Sequence, residues 1–166
     1  MDSSRIAKIE KAKRYAEERD RFQFIHLVVK VRGDNDSHVV RYEGGHFISE
    51  DSFFQEHGYS AHSMAVEILL EGMLRDLIPT DHLALKSSHI SKVEKAHRYA
   101  LERDRFEFES FLVQVRGDNG VHTVQFKEGH FESNNDFFNK HGYSAHTIAL
   151  ERILQGMLPS LVEENF

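Results

Sequence analysis

The chain has 166 residues, 40% of them hydrophobic and 11% aromatic, enough for a packed core that takes about two thirds of the unfolded surface out of water. It has no cysteine, which excludes disulfides, thiolate zinc sites and thiol nucleophiles together; a formal net charge of -6 excludes a surface coated in basic patches but leaves room for one local basic face. The charged opening MDSSRIAKIEKAKRYAEERDR lacks an apolar leader core, and no run approaches the roughly 18 apolar residues of a membrane span, so a cytoplasmic protein with no membrane partner is expected.

Ile6, Ile9, Ala12 and Ala16 recur at helical spacing among good helix formers, so residues 4–20 are expected to form an amphipathic helix, with Ser3 or Ser4 as its cap. Phe22 to Arg32 is β-branched and aromatic with partial alternation and reads as a strand. Gly33, Asp34 and Asn35 are turn residues leading into a partner strand at His38 to Glu43, on which His38, Val40 and Tyr42 share a face. A short third strand at Gly45 to Ile48 precedes Phe53 and Phe54, which read as a loop or turn. Ala61, Ala65, Leu69 and Met73, with Met64 and Leu70 beside them, predict a second amphipathic helix over about residues 60–76.

Residues 75–87, RDLIPTDHLALKS, read as a linker in which Pro79 stops any helix. Beyond it the pattern starts again. Ser4 to Leu74 pairs with Ser88 to Leu158 without a gap, and 41 of 71 positions are identical, so the chain is written as a tandem duplication. The copy predicts a helix over 88–104, a strand from Phe106 to Arg116, a partner strand carrying His122, Val124 and Phe126, and a helix over 144–158. The expectation is an α+β protein of two α-β-β-β-α units, residues 1–74 and 88–166. They should pack about a pseudo-twofold axis, because each small unit leaves apolar faces that its sister can cover.

The run from the GDN turn through GHF, DFF, HGYSAH and ALERIL in the second unit resembles the SWIM-type zinc finger, in particular the short prokaryotic proteins that carry that finger after an N-terminal helix and strand pair. That family's pattern is Cys-x-Cys, a spacer, then Cys-x-His. The resemblance places its ligand positions on Ser133, Asn135, Ser144 and His146, and in the first unit on Ser49, Asp51, Ser60 and His62. Six thiolates are implied and none is present, so a zinc site of the family's kind is not expected at these vestigial positions. Aromatic burial in the duplicated unit can replace the folding energy that a metal supplies to a lone finger, and Ser60 and Ser144 then become helix N-caps.

Four functional classes compete on these residues. A residual metal site can draw on His38, His46, His57, His62 and Asp51 or on their copies, but no pair has the i, i+4 spacing of a helical ligand pair, and no metal or other cofactor is expected. Ser60, His62 and Asp51 are the residue types of a nucleophile, base and orienter, yet a Ser-x-His at a helix start makes neither a strained elbow nor an oxyanion hole, so no enzyme and no small-molecule substrate are inferred. Lys8, Lys11 and Arg14, with Lys92, Lys95 and Arg98 in the copy, lie on one side of the first helix as candidate phosphate contacts, consistent with the DNA or protein binding that the resemblance implies. Glu10 and Arg14 at i, i+4, and Glu94 and Arg98 in the copy, make a charge-laced solvent face the plainer reading of the same stripe. Edge strands and Leu83-Ala84-Leu85 of the linker offer a surface for a protein partner or self-association. The sequence thus reads as a non-enzymatic, most plainly protein-binding, module on a metal-free SWIM-like scaffold. Nucleic-acid binding and a purely structural or engineered tandem repeat are the alternatives.

Overall fold

A computed structural model describes residues 3–78, 80 and 89–159. The first unit runs α1 (Ser3–Glu17), β1 (Phe22–Arg32), β2 (Ser37–Glu43), β3 (His46–Ser49), α2 (Ser52–His57) and α3 (Ala61–Leu69). The second runs α4 (Ile90–Leu101), β4 (Phe106–Arg116), β5 (Val121–Lys127), β6 (His130–Ser133), α5 (Asp136–His141) and α6 (Ala145–Ile153). The fold is α+β, a six-stranded sheet in the order β3-β2-β1-β4-β5-β6 with every neighbouring pair antiparallel. That order reads the same from either edge when the units are exchanged. Pro79, Leu83 to Leu85 and Ser88, which carried the linker and repeat-start readings, lie outside the described residues.

The long strands fall where the β-branched and aromatic runs place them, and one face of each is apolar. Phe22, Phe24, Leu27, Val29 and Val31 of β1 and Phe106, Phe108, Phe111, Val113 and Val115 of β4 are buried in a single core among the described residues, which the helices cover. The opposite face exposes Gln23, Lys30, Arg32 and Arg41. An irregularity in the β1–β4 register between Phe24 and His26 lets the alternation slip by one residue, which is why it is only partial in the sequence.

The sequence units are not separate bodies. β1 pairs with β4 at the middle of the sheet, from Phe22 opposite Val115 to Val31 opposite Phe106, and the helices cross over between units. α1 packs against α6, and α4 against α3. Each first helix packs on the last helix of the other unit, burying Ala12 and Tyr15 in α1 and Ala96 and Tyr99 in α4, while Ile6 and Ile90 at the helix starts stay about half exposed.

Two expectations are corrected. Phe53 and Phe54 lie in the six-residue helix α2, and their copies in α5, so each unit is α-β-β-β-α-α. Asp51 caps α2, its Oδ1 accepting from Phe53 N (2.7 Å) and Phe54 N (3.2 Å), and Asn135 caps α5 through Phe138 N (3.0 Å). Gly58 and Gly142 end these helices with φ of 80° and 79°, a conformation that glycine adopts without a Cβ penalty. The final helices are also shorter than the expected 60–76 and 144–158, stopping at Leu69 and Ile153. Gly72 and Gly156 (both φ 83°) then turn the chain so that Met73 O and Met157 O accept from Phe24 N and Phe108 N in the sheet.

Candidate functional site

The crossed packing creates two related cavities, each walled by both units. The first has a volume of about 270 Å³. Its walls are the 33–36 turn, His38, Asp51 and the start of α3 from the first unit, with Lys92, Lys95 and Tyr99 of α4 from the second. The second, of about 90 Å³, is built from the 117–119 turn, His122, Asn135, the start of α6, and Lys8, Lys11 and Tyr15 of α1.

Local sequence fixes each wall. Ser60 forms a capping box at the start of α3: its Oγ accepts from Ser63 N (3.0 Å) while Ser63 Oγ accepts from Ser60 N (2.9 Å). Ser144 does the same with Thr147 on α6. The expected capping role of both serines is present, and it commits the Ser60 hydroxyl to the backbone. One residue into each helix, His62 and His146 turn their rings inward. His62 lies beside His38 (ring centroids 4.7 Å apart) and Tyr99 (5.8 Å), and His146 beside His122 (4.8 Å) and stacked on Tyr15 (5.7 Å).

Gly33 and Gly117 make room for these rings. A Cβ on Gly33 would come 2.6 Å from His62 Nε2 and 2.9 Å from Asp36 O, and one on Gly117 would come 2.8 Å from His146 Nε2. No hydrogen bond reaches either ring nitrogen of His62 or His146 among the described residues, although all four atoms are buried. His62 Nδ1 is 3.3 Å from Asp51 Oδ2, close enough for charge to be felt but not aligned as a hydrogen bond. Burial, helped by the neighbouring His38, pushes His62 down to about 4. Burial, then His122 and the nearby lysines, lowers His146 to about 4 as well. Both imidazoles are neutral at pH 7.

The basic stripe is split by the fold. Arg14 Nη2 donates to Asp118 Oδ2 (2.6 Å) and Arg98 Nη2 to Asp34 Oδ2 (2.7 Å), so these arginines tie each first helix to the other unit's turn instead of to Glu10 and Glu94. Asp34, read from the sequence as a turn former, and its counterpart Asp118 are held below the usual carboxylate range by the hydrogen bonds from Arg98 and Arg14. Their backbone N–H groups donate to Tyr99 Oη (3.0 Å) and Tyr15 Oη (2.9 Å), completing the lock. The lysines face the cavities. Lys92 Nζ sits over the Phe53 ring (4.7 Å) and Lys8 Nζ over Phe137 (4.4 Å), and none of Lys8, Lys11, Lys92 or Lys95 is in an ion pair among the described residues. Burial, then repulsion from Lys11, lowers the Lys8 ammonium.

Of the positions on which the resemblance places the finger's ligands, Asp51, Ser60 and His62 line the first cavity and Asn135, Ser144 and His146 the second. Ser49 and Ser133 stand behind them, each accepting at Oγ from the backbone N–H of the capping residue, Asp51 (3.2 Å) or Asn135 (3.1 Å). Sequence reasoning missed Tyr15, Tyr99, Gly33 and Gly117 as wall residues. The signal was the unchanged return of KxxRYA and VRGDN in both units, which the apolar spacing of the helices does not require. No helix among the described residues is long and apolar enough to cross a membrane.

Comparison with known proteins finds no family model, no curated protein and no solved structure that matches the chain. The likeness to a SWIM-type finger thus rests on the motif alone.

Proposed function

We propose that this protein is a non-enzymatic interaction module that captures acidic groups of a protein partner in its two lysine-lined cavities. One observation carries the reading: Lys8 with Lys11, and Lys92 with Lys95, converge on concave sites at the starts of the nine-residue helices α6 and α3 while making no ion pair among the described residues. Lysine ammonium groups and a helix N-terminus both favour a carboxylate or phosphate oxygen, and a cavity lowers the dielectric in which they act. Neutral His62 and His146 bring nitrogen atoms that have no hydrogen bond of their own. Small separate cavities suit single acidic side chains better than a continuous phosphate backbone. Arg14 and Arg98, which would extend each lysine row along a phosphate backbone, are tied to aspartates.

Titration with a short glutamate-rich peptide, inorganic phosphate and a mixed DNA duplex separates the sources of the acidic group. Peptide binding at low salt that is lost in the Lys8→Gln, Lys11→Gln, Lys92→Gln, Lys95→Gln variant supports the module. Binding of duplex alone, with a steep salt slope, would transfer the cavities to nucleic-acid recognition. Failure of all three ligands at low salt would overturn the reading.

A further inference from the structure

The two cavities differ at one position that changes their chemistry. Asp51 of the first is replaced by Asn135 in the second, so the first holds two histidines and a carboxylate, and the second two histidines and an amide. We propose that His38, Asp51 and His62 form a binding site for a divalent transition-metal ion of the zinc class, absent from the second cavity.

The geometry favours a shared ion. Asp51 Oδ2 lies 3.3 Å from His62 Nδ1 and 3.7 Å from His38 Nε2, and one ligand atom from each of the three residues lies within 4.8 Å of the others. With bonds of about 2.0–2.2 Å, ligand atoms at the corners of a tetrahedron stand roughly 3.3–3.6 Å apart, so the Asp51–His62 edge is in place, the Asp51–His38 edge is slightly long, and a small movement of the His38 ring closes the set. Asp51 divides its oxygens between two tasks. Oδ1 is fixed by the α2 backbone N–H groups, which leaves Oδ2 directed at the histidines. His38 projects from β2 and His62 from the first turn of α3, so the three ligands come from different rigid elements.

The histidine nitrogens supply the second observation. Both ring nitrogens of His62 are buried without a hydrogen bond, and an ion at Nδ1 would give one of them a partner. Two imidazoles and one carboxylate suit zinc, cobalt(II) or nickel(II) better than calcium or magnesium, which prefer all-oxygen sets. The adjoining cavity leaves space for water to complete the coordination. Lys92 and Lys95, facing the same cavity, weaken the attraction for a bare cation and favour an anionic fourth ligand. This proposal is independent of the peptide reading, because the probe is the metal alone.

The test is calorimetric titration of the full chain, freed of metal by a chelator, with Zn²⁺, and absorption spectroscopy with Co²⁺. The expected result is a single tight equivalent per chain with a four- or five-coordinate Co²⁺ spectrum. Asp51→Asn should weaken that equivalent at least tenfold without disturbing the fold, since Asn135 already caps α5 in the same way. Asn135→Asp should add a second equivalent through His122 and His146. A parent chain that takes up no Zn²⁺ at micromolar concentration would overturn the site, as would an equivalent that Asp51→Asn and His38→Gln leave intact, which would mark adventitious binding by surface histidines.

Discussion

At the scale of single residues, the cavities depend on what glycine leaves out. The Cβ of Gly33→Ala would collide with His62 and with the Asp36 carbonyl oxygen, which belongs to the backbone, whereas the backbone contact at Gly117→Ala is 3.3 Å and the close approach is to a side chain. Overpacking of this kind costs about 1–3 kcal/mol. Thermal unfolding should show Gly33→Ala as the more destabilised of the two, and equal losses would contradict the close approach of the Asp36 carbonyl to Gly33. His146 gives a pH dependence with a fixed sign. The groups facing it are Tyr15, Lys8, Lys11, Arg21 and His122, and its folded pKa lies near 4, below the ordinary 6.5. The unfolded chain therefore binds the proton first. The stability contributed by keeping this ring neutral is complete above pH 6.5 and is lost as pH falls toward 4, up to roughly 2 kcal/mol once partial exposure is allowed for. Denaturant midpoints measured from pH 7 to pH 4 should fall less steeply for His146→Gln than for the parent. Parallel curves would mean that His146 is not buried as described.

At the scale of elements, the starts of α3 and α6 are where the candidate sites and the fold meet. Ser60→Ala or Ser144→Ala removes half of a capping box, and each should cost about 1 kcal/mol in equilibrium unfolding. A cost near zero would show that the box is not formed in solution. The long elements were legible because their patterns run for several turns or residue pairs: the strands from Phe22 and Phe106 begin and end as read, and both cap serines do what serine before an apolar helix does. The short helices α2 and α5 were not legible as helices, because six residues are too few for an apolar period to emerge. Their signals were local instead, an Asp or Asn cap before the Phe pair and a Gly just past the last turn. The family resemblance drew attention to those same Asp and Asn positions for a different reason, as vanished metal ligands.

At the scale of the whole molecule, the sequence repeat and the folding unit do not coincide. An apolar stripe tells which side of α1 is buried but not which helix covers it, so the exchange of α1 and α4 between units could not be read from spacing. The same limit applies to the lysines, whose helical spacing describes an open stripe while the fold turns them toward cavities completed by the other unit. Residues 88–166 alone would leave β4 without its central partner and α4 and α6 without the helices they pack on. That fragment should be unfolded or dimeric by ultracentrifugation, with the dimer rebuilding the pairing of β1 with β4 between two copies of β4. A stable folded monomer would show that the cross-unit packing is dispensable. Tyr15 and Tyr99, whose hydroxyls accept from Asp118 and Asp34 across the units, are the side chains through which a fragment would lose most of its lock.

The central claim is that acidic groups enter the two shared cavities, and amide and imidazole NMR spectra recorded during titration with a short glutamate-rich peptide test it most directly. The account predicts shift changes confined to the walls of the cavities, among them Gly33, Ser60, His62, Gly117, Ser144 and His146, which weaken with added salt and vanish in the four-lysine variant. Changes centred on the open sheet face around Val28, Val39 and Leu112, or none at all at low salt, would contradict it.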